Sequence, residues 1–134
     1  MQKTLINPQE LRQWWAFVKP GLEEILRKSP ESWIPEDVYV DCMNGRSMLW
    51  VFSVDSHAVG FAVLEPKGEA LHCWCGWANS VGHFKSAVEC VSEIAKAGGS
   101  RYVTFESWRS GWNRVAPKYG FKPRSWVKEI EYGR

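Results

Sequence analysis

The stretch Ala70–Glu131, ALHCWCGWANSVGHFKSAVECVSEIAKAGGSRYVTFESWRSGWNRVAPKYGFKPRSWVKEIE, decides the fold. Leu71–Gly76 is short and apolar, and Arg101–Glu106 is rich in β-branched and aromatic residues, so both segments read as strands. Between them, Phe84–Ala97 carries apolar residues at helical spacing, and Gly98-Gly99 supplies a helix stop. The order predicts a βαβ unit with two adjacent parallel strands.

The sequence on the carboxyl side of this unit predicts two more elements. Ser110–Lys118 reads as a short helix that ends before Tyr119-Gly120-Phe121. Ser125–Tyr132 then reads as a final strand.

The sequence on the amino side predicts helices followed by a hairpin. Apolar residues at helical spacing predict a helix over residues 8–28, which Pro20-Gly21 breaks or kinks, and Pro35 begins a further short helix. Ser47–Val54 and Ala58–Glu65 alternate as strands around a turn and predict a hairpin. Three antiparallel strands therefore precede the long helix.

Length and composition predict one globular domain over residues 1–134. Hydrophobic residues make up 45% of the chain, yet no apolar run approaches the roughly 18 residues of a membrane span. The first residues do not resemble a signal peptide, so we expect a cytoplasmic protein. The net charge of +2 is scattered along the chain and does not by itself indicate nucleic-acid binding.

Four cysteines raise the question of a metal site. Cys73 and Cys75 lie two apart in a predicted strand, which predicts that they share one face while His72 points to the other. Cys42 and Cys90 fall in separate elements, so the spacing offers no tetrahedral ligand set. We expect no metal and four reduced, buried thiols.

Nine tryptophans are the compositional outlier. Several must lie in the core, and others could line a cleft or a protein-binding surface. Basic residues alternate with aromatic ones near the C-terminus, which allows stacking on nucleic-acid bases, although a solvated helix face beside a core strand is the favoured explanation. These residues are Trp108, Arg109, Trp112, Arg114, Lys118, Tyr119, Lys122, Arg124, Trp126 and Lys128.

The element order resembles the acyl-CoA N-acyltransferase fold of the GNAT type. Trp108–Val115, then Gly120-Phe121 and Val127–Glu129, look like the C-terminal signature of small GNAT-like proteins of tailed phages and prophages. The resemblance implies an α/β (α+β) fold with N-terminal helices, an antiparallel meander, a central βαβ crossover, and a C-terminal helix and strand. It also implies a phage-encoded protein.

The same resemblance implies an acetyl-CoA site. The family binds the pyrophosphate at a Gln/Arg-x-x-Gly-x-Gly/Ala loop, which corresponds here to Asn79, Gly82 and His83, followed by Phe84 in place of a small residue. Backbone groups around Trp74 and Cys75 would align the pantetheine. Since Asn79 and Phe84 depart from the pattern, the signature is degraded and we expect weak binding. Alternatively, Gly82 with its neighbours only caps the helix.

Two residues are candidates for deprotonating an amine substrate. Glu106 ends the second parallel strand, where ligands of α/β folds tend to bind, and His72 lies in the neighbouring strand. The position of the family's acid tyrosine holds Ala116, and Tyr119 faces another side of the helix, which indicates a packing role.

Two functions are consistent with the sequence. The first is an N-acyltransferase-like protein that takes acetyl-CoA and an amine substrate. The alternative is a non-catalytic phage accessory, virion or host-interaction protein that keeps the fold and binds a protein partner through a tryptophan-rich surface. Nucleic-acid binding ranks below both.

Overall fold

The computed structural model describes residues 1–133, in which five strands form one mixed sheet. The strands lie in chain order and are β1 (Gln2–Leu5), β2 (Met48–Val54), β3 (His57–Lys67), β4 (Ala70–Ala78) and β5 (Tyr102–Phe105). The helices are α1 (Leu11–Lys28), α2 (Pro35–Met43), α3 (Phe84–Ala97) and α4 (Trp112–Val115). Neighbouring strands are antiparallel from β1 to β4, and β4 and β5 are parallel. The predicted meander and βαβ unit are confirmed.

The sheet separates two apolar cores. One core lies between the sheet and helices α1 and α2. It contains several partly buried aromatic rings and the buried residues Leu11, Val18, Leu22, Val38, Val51, Phe61, Val63 and Cys75. The other core lies between the sheet and α3 and contains Phe52, Ala62, Leu64, Leu71, Cys90, Val91 and Ile94. Alternate residues of β2 and β3 therefore serve opposite cores, as expected for a sheet covered on both faces.

Helix α1 is continuous, so of the two predicted effects of Pro20-Gly21 a break is wrong, and a kink stays a prediction. The helix carries Pro20 inside its span, on the exposed side. Gly21 is buried against the rings of Phe61 and Trp77, with Phe61 Cε2 only 2.6 Å from where a Cβ would lie. Packing on both sides of the proline therefore compensates for the hydrogen bond that it cannot donate.

Strand β1 was not predicted from the sequence. It pairs with β2 over Gln2–Leu5, and three of its four residues are exposed. A short, mostly polar segment gives little strand signal by itself, and the free edge of β2 is what orders it.

The end of the chain differs from the prediction. The predicted helix over Ser110–Lys118 is present only as α4 and a following 3₁₀ turn over Ala116–Tyr119, which ends at Gly120 with φ 87°. The predicted strand Ser125–Tyr132 is wrong, because no residue from Phe121 to Gly133 is in regular secondary structure. A strand requires a hydrogen-bonding partner, and none lies beside this segment within the described residues.

Within residues 1–133, no helix is long and apolar enough to cross a membrane.

Candidate functional site

The two parallel strands separate after a short pairing. β4 and β5 are in register only from Ala70 opposite Tyr102 to Cys73 opposite Phe105. β4 then continues to Ala78, paired with β3 alone among the described strands. The carboxyl-terminal half of β4 thus presents unpaired backbone groups on the side facing away from β3.

A bulge in β4 lies where the separation begins. Val63 pairs with Cys75 and Leu64 pairs with Cys73, so Trp74 has no partner in β3. The extra residue puts Trp74 and Cys75 on the α1–α2 core, whereas Cys73 packs on the α3 core. The prediction that Cys73 and Cys75 share a face is therefore wrong, because a bulge shifts the alternation by one residue.

An aromatic pair lies over this bulge. The Trp74 ring meets the ring of Trp33, from the loop between α1 and α2, edge to face at 5.8 Å between centroids. Both rings are half-buried. The bulge therefore provides an apolar wall on the α1–α2 face of β4.

His72 lies one residue pair before the strands separate. It is opposite Glu65 in β3 and opposite Thr104 in β5, so the three residues form a row across the sheet. His72 Nδ1 lies 2.8 Å from Thr104 Oγ1. This contact fixes the ring and leaves Nε2 available for another partner.

The surroundings of His72 shift its pKa in opposite directions. Partial burial lowers the pKa of His72, and Lys67 lowers it further, whereas the carboxylates of Glu106 and Glu65 act to raise the pKa. Glu106 is exposed immediately beyond β5. The two candidate catalytic residues, His72 and Glu106, are therefore close enough to interact electrostatically. A neutral imidazole is suited to accept a proton.

The sequence did not single out Thr104. On its own it reads as an ordinary β-branched strand residue, and only the register of β4 against β5 places it beside His72. Its spacing of two residues from Glu106 is the one signal that could have indicated a shared face.

The loop before α3 holds the other predicted ligands. The Asn79 amide donates to the Val59 carbonyl at 2.8 Å. The Gly82 amide donates to Ser80 Oγ at 3.2 Å, and the His83 amide donates to the Ser80 carbonyl at 3.1 Å. Ser80 thus caps the 3₁₀ turn that leads into α3, as the helix-capping alternative predicts, whereas the Asn79 amide is held by β3.

An aromatic cluster ties the start of α3 to the region after β5. The Phe84 ring lies 5.3 Å from Trp112 and 4.8 Å from Tyr119, and Phe105 lies 5.0 Å from both Trp112 and Phe121. The packing role predicted for Tyr119 is therefore realised against Phe84 at the start of α3. The Phe84 side chain packs within this cluster.

Most of the tryptophans pack against the protein. Trp77 Nε1 donates to Glu24 Oε2 at 2.8 Å, and this hydrogen bond is the main cause of a lowered Glu24 pKa. The exposed exceptions are Trp108 and Trp126, at 68% and 89%. Among residues 1–133, no three His, Cys, Asp or Glu side chains converge as metal ligands.

The sequence matches no family model and no curated protein. Solved structures, however, match over nearly the whole chain. A ribosomal-protein-alanine N-acetyltransferase from Brucella melitensis biovar Abortus 2308 superposes with a TM-score of 0.64 at 13% identity, covering 99% of this chain and 100% of that one. The chain has the fold of an acetyltransferase.

Two further acetyltransferase structures contain ligands. Aminoglycoside N-acetyltransferase AAC(6')-Iy, bound to the bisubstrate analogue CoA-S-monomethyl-acetylneamine, matches with a TM-score of 0.67 at 14% identity, over 99% of this chain and 98% of that one. An aminoglycoside acetyltransferase from an uncultured soil metagenomic sample, in complex with sisomicin, gives 0.65 at 11% identity, over 99% and 95%. The GNAT fold predicted from the element order is confirmed.

Proposed function

We propose that this protein is a coenzyme A-dependent N-acyltransferase of the GNAT type that binds acetyl-CoA weakly. The observation that carries the proposal is the separation of β4 from β5 after Cys73, which leaves the backbone of Trp74–Ala78 without a strand partner on the side facing away from β3. Complexes of similarly folded acetyltransferases with a coenzyme A analogue and with an aminoglycoside support it.

The residues fit one part of acetyl-CoA better than the other. Unpaired backbone groups from Trp74 and Cys75 onward suit the amide-containing pantetheine arm, which can add to the strand edge through hydrogen bonds. The phosphates would meet the loop at Asn79, Gly82 and His83, where three amides are already hydrogen bonded within the chain. Bound acetyl-CoA would supply an activated thioester.

His72 is the proposed general base. Bound acetyl-CoA would supply the acyl group, and Nε2 of His72 would accept the proton that an amine gives up as its nitrogen replaces the thioester sulfur on the carbonyl carbon. Thr104 holds Nδ1 at 2.8 Å, and Glu106 stabilises the resulting positive charge. The departing thiolate would take a proton from water, because Ala116 stands at the family's tyrosine position.

Titration with acetyl-CoA tests this proposal. We expect dissociation constants in the millimolar range, about 4 kcal/mol weaker than micromolar binding, with NMR shifts in the amides of Trp74–Ala78. S-acetylpantetheine, which lacks the nucleotide, should bind within about threefold of acetyl-CoA if the loop contributes little. Absence of β4 shifts at saturating acetyl-CoA would refute the proposal.

Release of coenzyme A in the presence of an amine tests the chemistry. A peptide with an N-terminal alanine and neamine are suitable probes, since one similar fold is a ribosomal-protein-alanine N-acetyltransferase and another binds an acetylneamine analogue. We expect His72→Gln to slow release by about 100-fold or more while acetyl-CoA binds as before. A His57→Gln variant, changed at the exposed first residue of β3, should keep the wild-type rate.

A non-catalytic binding protein is the second candidate. The capped loop at Ser80 and the packing of Phe84 against α4 favour it, because both features close the start of α3 to a phosphate. The exposed Trp108 and Trp126 would then contact a protein partner. Phage origin, a cytoplasmic location and a virion or host-directed role remain predictions from the sequence.

A further inference from the structure

Residues 107–128, called here the basic segment, carry most of the positive charge of the chain. The segment contains six basic residues and no acidic one, whereas residues 1–106 contain ten basic and thirteen acidic residues. Its formal charge is therefore +6, against −3 for residues 1–106. The small net charge of the whole chain conceals this separation. A local excess of positive charge attracts a polyanionic partner.

The six basic side chains are available to such a partner. All of them are exposed, and none forms an ion pair with a carboxylate of residues 1–133. By contrast, five of the ten basic residues before the segment form ion pairs. The six are Arg109, Arg114, Lys118, Lys122, Arg124 and Lys128.

The aromatic side chains of the basic segment form two groups. Those in the middle, Trp112, Tyr119 and Phe121, are half-buried and pack against the start of α3 or against β5. Those near its two ends, Trp108 and Trp126, are 68% and 89% exposed. The packed rings hold the segment on the protein, and the two exposed indoles present flat apolar faces to solvent.

This packing concentrates the charge at one edge of the sheet. The Phe121 ring lies 5.0 Å from the Phe105 ring, and the Arg124 guanidinium lies 5.3 Å from the Tyr102 ring. The chain therefore follows β5, the last strand of the sheet, at this point. The charge of Arg124 is held at this edge by the aromatic ring and is not neutralised there.

The elements that would give these residues an ordinary packing role are not formed. The sequence predicts a solvated helix over residues 110–118 beside a core strand over residues 125–132. The structure has only α4 and a 3₁₀ turn in the first range, and no strand in the second. Trp126 therefore does not belong to a core strand, and its exposure requires another explanation.

We propose that the basic segment binds single-stranded nucleic acid, with Trp108 and Trp126 stacking on bases and the six cationic side chains contacting phosphates. Every base has a flat face, so an exposed indole can stack on it without regard to sequence. The cationic groups supply phosphate contacts of the same sequence-independent kind. A duplex hides its base faces and is therefore excluded as the preferred partner. The proposal does not depend on acyl transfer.

An anionic membrane is the competing partner for a surface with exposed tryptophan and basic residues. Insertion into lipid requires backbone N–H and C=O groups that are already hydrogen bonded, as they are in a helix. Residues 121–133 have no regular secondary structure, so their backbone would enter lipid without partners. A nucleic acid bound at the water-exposed surface imposes no such requirement, which favours it.

Fluorescence anisotropy of a labelled oligothymidylate about 20 nucleotides long measures binding to the full chain. We expect a micromolar dissociation constant at low salt, and binding about tenfold weaker or worse to a duplex of the same length. Oligouridylate in the same assay assigns the partner to RNA or DNA. Equal affinity for the duplex overturns the proposal. So does binding to vesicles of phosphatidylglycerol and phosphatidylcholine without binding to either oligonucleotide.

Salt dependence tests the role of the charges. The logarithm of the association constant should fall against the logarithm of salt concentration with a slope of about −0.7 for each phosphate contacted. Lys122→Gln/Lys128→Gln should make this slope shallower by about 1.4. The control Arg12→Gln/Arg46→Gln removes two exposed charges outside the segment and should shift the slope by less than about 0.3. Equal shifts in both variants would refute binding by the basic segment.

Replacement of the exposed indoles tests stacking. Trp126→Ala should weaken binding about tenfold with an unchanged salt slope, whereas Trp126→Phe, which keeps an aromatic face, should lose only about threefold. The control Val127→Ala alters a neighbour that is 70% exposed but has no face for stacking, and should bind as the wild type does. Equal losses in Trp126→Ala and Val127→Ala, or no loss in either Trp108→Ala or Trp126→Ala, would overturn the proposal.

Discussion

At the residue scale, Gly60 is the strand glycine that leaves the least room for a side chain. A Cβ there would lie 2.5 Å from the Trp77 carbonyl oxygen and 3.2 Å from the Ala78 Cα. Since both are backbone atoms of the neighbouring strand, we expect Gly60→Ala to lower the free energy of unfolding by about 1–3 kcal/mol. Urea denaturation measures the loss. The control is Gly82→Ala, where the nearest atom is 3.5 Å away and a change within about 0.5 kcal/mol is expected.

His72 makes stability depend on pH. Its pKa in the folded protein is lowered, chiefly by burial, so below about pH 6.5 the unfolded chain binds a proton that the folded chain does not. Folded stability should therefore fall as pH drops below that value, and the loss should level off below the folded pKa. Urea denaturation of wild type and His72→Gln at paired pH values checks this. Equal pH dependence in both proteins would contradict the lowered pKa.

At the element scale, Phe84 connects α3 to α4. Its ring contacts Trp112 and Tyr119, and it is half-buried. We expect Phe84→Ala to cost about 2 kcal/mol, less than a fully buried phenylalanine, and to speed hydrogen exchange over residues 112–119. The matched control is Val81→Ala, three residues earlier and 92% exposed, which should change neither measurement. Unchanged exchange in Phe84→Ala would mean that other contacts hold α4.

At the scale of the whole molecule, the cysteines should be inert while the protein is folded. Burial raises the pKa of Cys42 to about 11 and that of Cys73 to about 12, and it also raises those of Cys75 and Cys90. Because the thiolate is the reactive form, a thiol reagent at pH 8 should label the four cysteines only after denaturant is added. Immediate labelling of any cysteine in the folded protein would contradict this.

Local sequence patterns determined the order of elements. Apolar spacing in α3, its glycine stop and the alternation in the flanking strands are properties of neighbouring residues, so the βαβ unit and the meander were predicted correctly. The positions of His72 and Glu106 near the β4–β5 junction followed from that topology.

Tertiary structure decided the features that depend on contacts between residues far apart in the sequence. The bulge at Trp74 lies where β3 pairs with β4 between the two cores. It places Cys75 on the α1–α2 side of the sheet, opposite to Cys73. Pro20 remains within a helix because packing on the sheet outweighs its local preference. Residues 125–132 have the composition of a strand but no partner beside them, since strand formation requires a second chain segment to complete its hydrogen bonds.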